Sequence, residues 1–287
     1  MTTARVIVTR PAPDAALWVR QLEHSGIASE AFELIDIAPV CSTADVQALQ
    51  DAWQALDGFA ACMFVSGHAV GHFFKKNMAF APAGCAQQAI NNIAIGDMRR
   101  IPSSLRFLAP GPGTVAALRA AGVPATQIDA PAADAAQFDS EALWQVIGPR
   151  DWRGRKVLIV RGQSAGAEGV TSGRDWMVRQ WQDAGASVDF VGVYQRRAPV
   201  LTEAQVERAR IASADGSVWL FSSSEAVANL VGLAALQGVD WRRARAVATH
   251  PRIAQAVRAA GWGVVAESRP ALHDIGQALG SIELLSP

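Results

Sequence analysis

The chain has 287 residues, of which 50% are hydrophobic and 18% are charged. This composition excludes an intrinsically disordered protein, and the length predicts two domains, although one large domain is compatible with it. The 26 basic and 26 acidic residues balance, so we expect no nucleic-acid partner and no attraction to an anionic membrane.

The sequence gives no reason to expect an export leader, a membrane-spanning segment or a paired-cysteine motif. A strand-like run begins at Val6 without a preceding charged and apolar leader, and no apolar run is long enough to span a membrane. We therefore expect a cytoplasmic protein. Cys41, Cys62 and Cys85 are widely spaced, with no C-x-x-C pair, so we expect small buried hydrophobic residues rather than disulfides or zinc ligands.

Short β-rich runs alternate with helical segments along the chain. The runs are residues 6–9, 61–65, 107–109, 157–160, 218–221 and 246–248. Asp14 can cap a helix that ends at Gly26, and Thr114 can open one that ends at Gly122. Because the strands are uninterrupted and apolar, the pattern predicts an α/β fold with parallel sheets flanked by helices, and ligands at the carboxyl ends of the strands.

Several motifs of the first half recur in the same order in the second half. Residues 8–10 are echoed by 160–162, 64–70 by 221–227, and 118–122 by 257–261. The echo predicts two similar α/β domains, and its alternative is chance similarity in an alanine-rich chain. Two extended runs that end near a proline, 37–40 and 193–199, are the candidate connectors.

Hydroxyl residues recur where a strand is expected to give way to a helix. They are Thr9, Ser66, Thr114, Ser222, Ser223 and Ser224. A hydroxyl together with the N–H groups of a helix start can bind a carboxylate or phosphate, and the alternative for each residue is a helix cap. His250 lies between strand 246–248 and Pro251, where a substrate would also be expected.

Motifs for several other chemistries are missing. Residues 110–114 lack the third glycine of a dinucleotide fingerprint, and no P-loop lysine or nucleophile elbow is present. His68 and His72 share one helical face, but two side chains do not make a metal site. We therefore expect no cofactor and no metal.

The motifs together, in order and over nearly the whole chain, resemble uroporphyrinogen-III synthase. They are residues 6–11, 64–66 with 69–70, 111–114, 139–143, 157–162, 193–194, 222–227 and 249–251. Two departures stand out: the segment 249–252 reads Thr-His-Pro-Arg, where many relatives have a threonine hydroxyl in the turn, and residues 85–106 look like an insertion.

The resemblance implies two α/β domains joined by a two-stranded extended hinge, with the ligand in a cleft between them. On this interpretation residues 1–38 and 197–287 form the first, discontinuous domain. Residues 41–192 form the second domain, and residues 39–40 and 193–196 form the hinge.

The implied reaction closes hydroxymethylbilane, a linear tetrapyrrole with eight carboxylates, to uroporphyrinogen III, with loss of water and inversion of ring D. Tyr194, the only tyrosine, is the candidate catalytic acid, and its alternative is a packing role. The expected substrate-binding residues are Thr9, Arg10, Ser66, Gly67, His68, Gly113, Thr114, Arg161, Ser222, Ser223, Ser224 and His250. For Arg10 and Arg161, a structural salt bridge is the alternative.

The resemblance further implies a lyase of haem biosynthesis that needs no cofactor and acts as a monomer. Transient contact with the enzyme that supplies hydroxymethylbilane is also expected. The alternative function is a hinged two-domain protein that binds a small anion or a tetrapyrrole, or regulates through it, without turnover.

Overall fold

The chain forms two compact units in the computed structural model, which describes residues 5–12, 14–74, 101–164 and 172–284. One unit comprises Met1–Ile37 together with Arg197–Pro287, and the other comprises Ala38–Arg196. We call them the split unit and the continuous unit. Among the described residues no helix is long and apolar enough to cross a membrane. Apart from residues 101–106, the expected insertion lies outside the described residues.

The split unit is built around a five-stranded parallel sheet. Its elements are β1 (Val6–Val8), α1 (Asp14–His24), β2 (Ser29–Ala31), α7 (Glu203–Ala212), β9 (Val218–Phe221), α8 (Ser224–Val231), β10 (Arg245–Ala248), α9 (Pro251–Ala259), β11 (Val264–Glu267) and α10 (Leu272–Leu284). The strand order is β11-β10-β9-β1-β2, and each neighbouring pair is parallel. The strand β1 thus comes from the beginning of the chain, and its neighbour β9 from the end.

The continuous unit contains a second sheet. Its elements are α2 (Thr43–Gln54), β4 (Ala61–Phe64), α3 (Gly67–Phe74), β5 (Arg106–Leu108), α4 (Pro112–Ala120), β6 (Ile128–Asp129), α5 (Ser140–Ile147), β7 (Lys156–Ser164), α6 (Ser172–Asp183) and β8 (Ser187–Arg197). The strand order is β3-β8-β7-β4-β5-β6, with β3 (Asp36–Pro39) at one end. The four pairs from β8 to β6 are parallel.

The apolar strands form these sheets because both of their faces are covered. In β9, Trp219 and Phe221 belong to one buried cluster with Ile7. The alternate residues Val218 and Leu220 belong to a second cluster. Successive side chains of a strand point to opposite faces, so each strand contributes to two cores. The predicted α/β class with parallel sheets is confirmed.

The start of α4 differs from its prediction. The helix begins at Pro112 with Gly111 as its N-cap, so Thr114 lies inside the first turn and does not open the helix. Proline is favoured at the first helical position because its missing N–H has no partner there in any case. Thr114 is 6% exposed, which places its side chain in the core.

The expected connector 193–196 is part of a strand. β8 runs through Arg197, and Tyr194, Gln195 and Arg196 lie in register with Gly162, Gln163 and Ser164 of β7. These residues are therefore held by the sheet of the continuous unit. The hinge role of residues 39–40 and 193–196 stays a prediction.

The cysteines follow the expectation only in part. Cys62 is a free, fully buried thiol in β4, and burial raises its pKa, so it is an unreactive core residue. Cys41 is half-buried after β3, so it is not the fully buried residue that was expected. Cys85 lies outside the described residues.

A buried carboxylate joins three segments of the continuous unit. Asp129, at the end of β6, is 8% exposed and accepts hydrogen bonds from Arg106 Nε at 2.9 Å and Nη2 at 2.6 Å, and from Arg150 Nη1 at 2.7 Å. Burial would raise the pKa of Asp129, but the hydrogen bonds and charges of the two arginines prevail and lower it to about 2. The carboxylate is therefore favoured in the folded state.

We expect Asp129 to make the stability of the protein depend on acid pH. Because its pKa is lower in the folded than in the unfolded chain, its contribution is complete above about pH 4 and is lost as pH falls toward 2. Asp129→Asn should cost about 2 kcal/mol at pH 7, since the two arginines lose the negative charge and one of its two acceptor oxygens. Urea unfolding followed by circular dichroism between pH 2 and pH 7 measures both effects.

The control for this experiment is Asp151→Asn, because Asp151 is an exposed carboxylate paired with Arg153 at the surface of the same unit. An exposed ion pair contributes little to stability. Equal losses in the two variants would contradict the role of Asp129.

Candidate active site

A hydrogen bond links Ser66 to Tyr194 in the continuous unit. Ser66 lies between β4 and α3, where its Oγ accepts a hydrogen bond from the Ala69 backbone N–H at 3.1 Å. The same Oγ is 3.2 Å from Tyr194 Oη, and either oxygen can be the donor of that bond. Tyr194 is 3% exposed. The serine therefore caps the helix and fixes the phenol at once.

An irregularity between β7 and β8 sets the position of Tyr194. Arg161 pairs with Gly192, but the next residue, Gly162, pairs with Tyr194, so the register shifts by one residue. A β-bulge of this kind redirects the side chains that follow it. The tyrosine ring lies directly against Gly162, where a Cβ atom would collide with ring atoms Cε2 and Cζ.

Two histidines of α3 lie beside the phenol ring. The ring centroids of His68 and His72 are 6.2 Å and 5.5 Å from that of Tyr194. They lie four residues apart on the helix and therefore share a face, as the sequence predicts. Among the residues that the structure describes, no group of three or more His, Cys, Asp or Glu side chains could hold a metal ion.

The starts of α3 and α4 lie close together. A Cβ atom on Gly67 would stand 3.5 Å from the Gly113 carbonyl oxygen and 3.5 Å from Ala117 Cβ. The two helices follow the neighbouring strands β4 and β5, so their N–H groups emerge at the same edge of the sheet. The structure thus brings Ser66, Gly67 and His68 close to Gly113.

Arg161 lies near the end of β7, one residue before Gly162. Its guanidinium carbon is 4.7 Å from the ring centroid of Phe190 on the neighbouring strand β8. A cation over an aromatic face is held by the ring quadrupole. The side chain is half-buried and Phe190 is 45% exposed, so this positive charge is both oriented and open to solvent on one side.

In the split unit, the hydroxyl of Thr9 forms a hydrogen bond within the sheet. Thr9 follows β1, is 1% exposed, and donates a hydrogen bond from Oγ1 to the Leu220 carbonyl at 2.8 Å. This hydrogen bond bridges β1 and β9, and the ligand-binding role of Thr9 stays a prediction.

Arg10, the next residue, has two partners on α1. Its guanidinium carbon is 4.4 Å from the Trp18 ring centroid, and its Nη1 is 3.7 Å from Asp14 Oδ2. Burial lowers the pKa of Arg10 and the nearby Asp14 carboxylate raises it. Because an arginine stays charged in proteins, a positive charge is held at the end of β1.

Two further helix starts of the split unit carry predicted site residues. Ser223 is the N-cap of α8, accepting from the Glu225 N–H at 3.2 Å. Ser222 precedes it, and Ser224 is exposed in the first turn. His250 is the N-cap of α9, with Nδ1 accepting from the Arg252 N–H at 3.1 Å. An accepting Nδ1 places the proton of the neutral ring on Nε2.

The predicted residues thus form two groups, one at the carboxyl edge of each sheet. In the split unit they follow β1, β9 and β10, which are neighbours in the order β10-β9-β1. In the continuous unit they lie at the ends of β7, β4 and β5, which are also neighbours. In parallel sheets this edge is where ligands bind.

A protein-family model matches most of this chain. The model, described as uroporphyrinogen-III synthase HemD, matches residues 17–275, which is most of the chain. The chain belongs to the uroporphyrinogen-III synthase family. The family's reaction is a cyclising dehydration of hydroxymethylbilane to uroporphyrinogen III in haem biosynthesis, and the resemblance inferred from the sequence motifs is confirmed.

Solved structures of uroporphyrinogen III synthases share the fold. A mutant of the Thermus thermophilus protein aligns over 98% of this chain and 97% of its own, at 16% identity and a TM-score of 0.54. The Helicobacter pylori protein aligns over 97% of this chain and 99% of its own, at 14% identity and a TM-score of 0.53. At these identities the likeness concerns the architecture.

Two members of the candidate uroporphyrinogen-III synthase site were missed from the sequence. Gly162 falls within the motif 157–162, which lies in β7, but nothing in the sequence shows that a ring needs its space. His72 was recognised only as a neighbour of His68 on a helix, and its proximity to Tyr194 depends on the pairing of β7 with β8. A glycine close after the apolar run 157–160 was the available signal.

Proposed function

We propose that Tyr194 is the acid that assists the loss of the hydroxyl group from hydroxymethylbilane. The observation that carries this role is the hydrogen bond between Ser66 Oγ and Tyr194 Oη. In the reaction the phenol gives its proton to the departing hydroxyl, which leaves as water, and an electrophilic azafulvenium cation remains. Closure of the ring then releases one proton from a pyrrole carbon, which restores the phenol.

The direction of the hydrogen bonds supports this role. Ser66 Oγ already accepts from the Ala69 N–H, so its own hydrogen can point to Tyr194 Oη. The phenol oxygen would then accept from Ser66 and keep its hydrogen for the leaving group. A chain of donors that begins at a helix N-terminus stabilises the negative charge that develops on the phenol oxygen.

The carboxylates of the substrate need several donors. We propose that they are bound by the helix starts and arginines at the carboxyl edges of the two sheets. The residues assigned to this role are Arg10, Gly67, His68, Gly113, Arg161, Ser222, Ser223, Ser224 and His250. Ser66 is assigned to it through its backbone N–H, since its hydroxyl hydrogen is used by Tyr194. Thr9 and Thr114 are buried, and we keep them as candidates for the same role. Binding several carboxylates at fixed points orients the chain for closure.

We further propose that the protein acts in the cytoplasm as a monomer, in transient contact with the enzyme that supplies hydroxymethylbilane. The chemistry of the substrate supports such contact. Free hydroxymethylbilane closes spontaneously to the isomer without ring inversion, so a short path between the two enzymes reduces this loss.

The assay for the proposal incubates the protein with freshly generated hydroxymethylbilane and separates the oxidised products by chromatography. We expect isomer III to replace isomer I. Isomer I alone, at the rate of the uncatalysed reaction, would contradict the proposed site as well as the activity.

Arg161→Gln should raise KM about tenfold with little change in kcat. A charge-assisted hydrogen bond to a carboxylate contributes about 1.5 kcal/mol, which corresponds to that factor. Steady-state rates of isomer III formation over a range of hydroxymethylbilane concentrations measure the two constants.

The matched control is Arg155→Gln. Arg155 is exposed and immediately precedes β7, so it lies at the other end of the same strand. An equal rise of KM in the two variants would indicate a general effect of charge, and no rise in Arg161→Gln would leave Arg161 a structural partner of Phe190.

A further inference from the structure

Gly162 of β7 lies directly against the ring of Tyr194. A Cβ atom at this position would overlap ring atoms Cε2 and Cζ and would lie 2.9 Å from Cδ2. We propose that Gly162 is a positioning residue for Tyr194: its lack of a side chain lets the ring lie across β7 with its hydroxyl on Ser66. The proposal rests on the proposed role of Tyr194 as the proton donor.

The backbone conformation does not explain why position 162 is a glycine. The described glycines with positive φ are Gly26, Gly122, Gly154, Gly185, Gly216, Gly238 and Gly261. Gly162 is not among them, so another residue could adopt its φ. A glycine within a strand weakens the strand, and it is expected where a bulge or a close approach requires it. Here both are present, and the close approach is that of the tyrosine ring.

The bulge brings the ring to this position. Val193 has no partner in the register of β7 and β8, because Arg161 pairs with Gly192 and Gly162 pairs with Tyr194. Val193 and Tyr194 are 2% and 3% exposed, so the bulge and the tyrosine ring are both buried. The ring covers the bare glycine across the ladder, an arrangement known from other sheets.

A second glycine in the same ladder has a different neighbour and provides a comparison. A Cβ atom on Gly192 would lie 2.6 Å from Cδ of the Gln163 side chain. Gln163 donates from its amide Nε2 to Asp45 Oδ1 at 2.9 Å. Crowding at 192 therefore disturbs Gln163, and crowding at 162 disturbs Tyr194.

The single tyrosine makes the position of the ring directly measurable. Protein labelled with tyrosine that carries ¹³C at Cζ gives one protein resonance, whose chemical shift depends on the hydrogen bond of the phenol. We expect Gly162→Ala to shift or broaden this resonance and to lower kcat about tenfold, with KM changed less than twofold. Gly192→Ala should leave the resonance in place.

Gly58→Ala is the control for the substitution itself. Gly58 is exposed in the same unit, with no atom within 4 Å of an added Cβ. We expect its resonance and kcat to equal those of the unaltered protein. An unmoved resonance together with an unchanged kcat in Gly162→Ala would overturn the proposal.

A double variant separates this proposal from the role of Tyr194 in the reaction. If Gly162 acts through the phenol hydroxyl, Gly162→Ala should lower kcat no further once Tyr194→Phe is present. A normal kcat in Tyr194→Phe would refute the acid role, whereas the resonance of Gly162→Ala would still report the position of the ring.

A folding defect in Gly162→Ala would itself be informative. Removing the ring with Tyr194→Leu should then restore folding, since the added methyl group would have room. If the double variant Gly162→Ala, Tyr194→Leu stays unfolded while Tyr194→Leu folds, the clash does not involve the ring and the proposal is wrong.

Discussion

Tyr194→Phe should lower the turnover of hydroxymethylbilane more than tenfold and leave the binding of uroporphyrinogen III largely intact. Phenylalanine keeps the ring that lies against Gly162, so the packing is preserved. It removes the oxygen that is hydrogen-bonded to Ser66. General acids commonly contribute roughly 10²- to 10⁴-fold to a rate, and the electron-rich pyrroles supply part of the driving force here.

Initial rates of isomer III formation and a titration with the product measure these two effects. Ser213→Ala is the matched control, because it removes a buried hydroxyl in the split unit that donates to the Arg210 carbonyl at 2.8 Å. Its kcat should be unchanged. If Tyr194→Phe also keeps the original kcat with a native near-UV spectrum, Tyr194 takes no part in proton transfer.

Trp219→Ala should be the most destabilising of the substitutions considered. Trp219 is fully buried in β9, and its ring contacts Phe221 in a stack with centroids 6.0 Å apart. It also meets Trp241 and Trp262 edge to face. Truncating a buried tryptophan costs about 3–5 kcal/mol, through lost transfer free energy and the cavity that remains.

The indole nitrogen adds a smaller contribution to the effect of Trp219→Ala. Nε1 of Trp219 donates to the Ala212 carbonyl at 3.3 Å, so the alanine variant also leaves that carbonyl without this donor. Urea unfolding followed by near-UV circular dichroism measures the loss of stability, since the rings of Trp241 and Trp262 stack on each other and contribute to that signal.

Val200→Ala is the control for the loss of stability. Val200 is 97% exposed in the same unit, and an exposed substitution of this kind changes stability by less than about 0.5 kcal/mol. A loss below about 1 kcal/mol in Trp219→Ala would show that the aromatic cluster adjusts to the missing ring, contrary to the packing described here.

The order of strands and helices was predictable because it depends on local pattern. The four apolar residues of β9 are buried on both faces, as an uninterrupted apolar run between helices predicts. The start of α4 was predicted wrongly although the sequence contains the signal: a proline at the first helical position, after a glycine cap, competes with a threonine cap. In the structure Gly111 caps the helix and Pro112 is its first residue, so Thr114 is not the cap.

The arrangement of the candidate site was less predictable, since it depends on contacts between distant residues. Ser66 and Tyr194 are separated by 128 positions, and no local pattern indicates their hydrogen bond. The register shift that brings Tyr194 opposite Gly162 arises only when β7 and β8 pair. Composition likewise indicates that tryptophan is abundant but not that Trp241 and Trp262 stack 4.3 Å apart.

The internal position of β1 in its sheet has a consequence for the order of events during synthesis. Val6 pairs with Val218, so β1 leaves the ribosome about 210 residues before its partner strand exists. At 5–20 residues per second the delay is roughly 10–40 s. The segment from Ala38 to Arg196 has its own sheet and can fold within that interval. Once folded, it shortens the effective loop between β1 and β9 and lowers the entropy cost of their pairing.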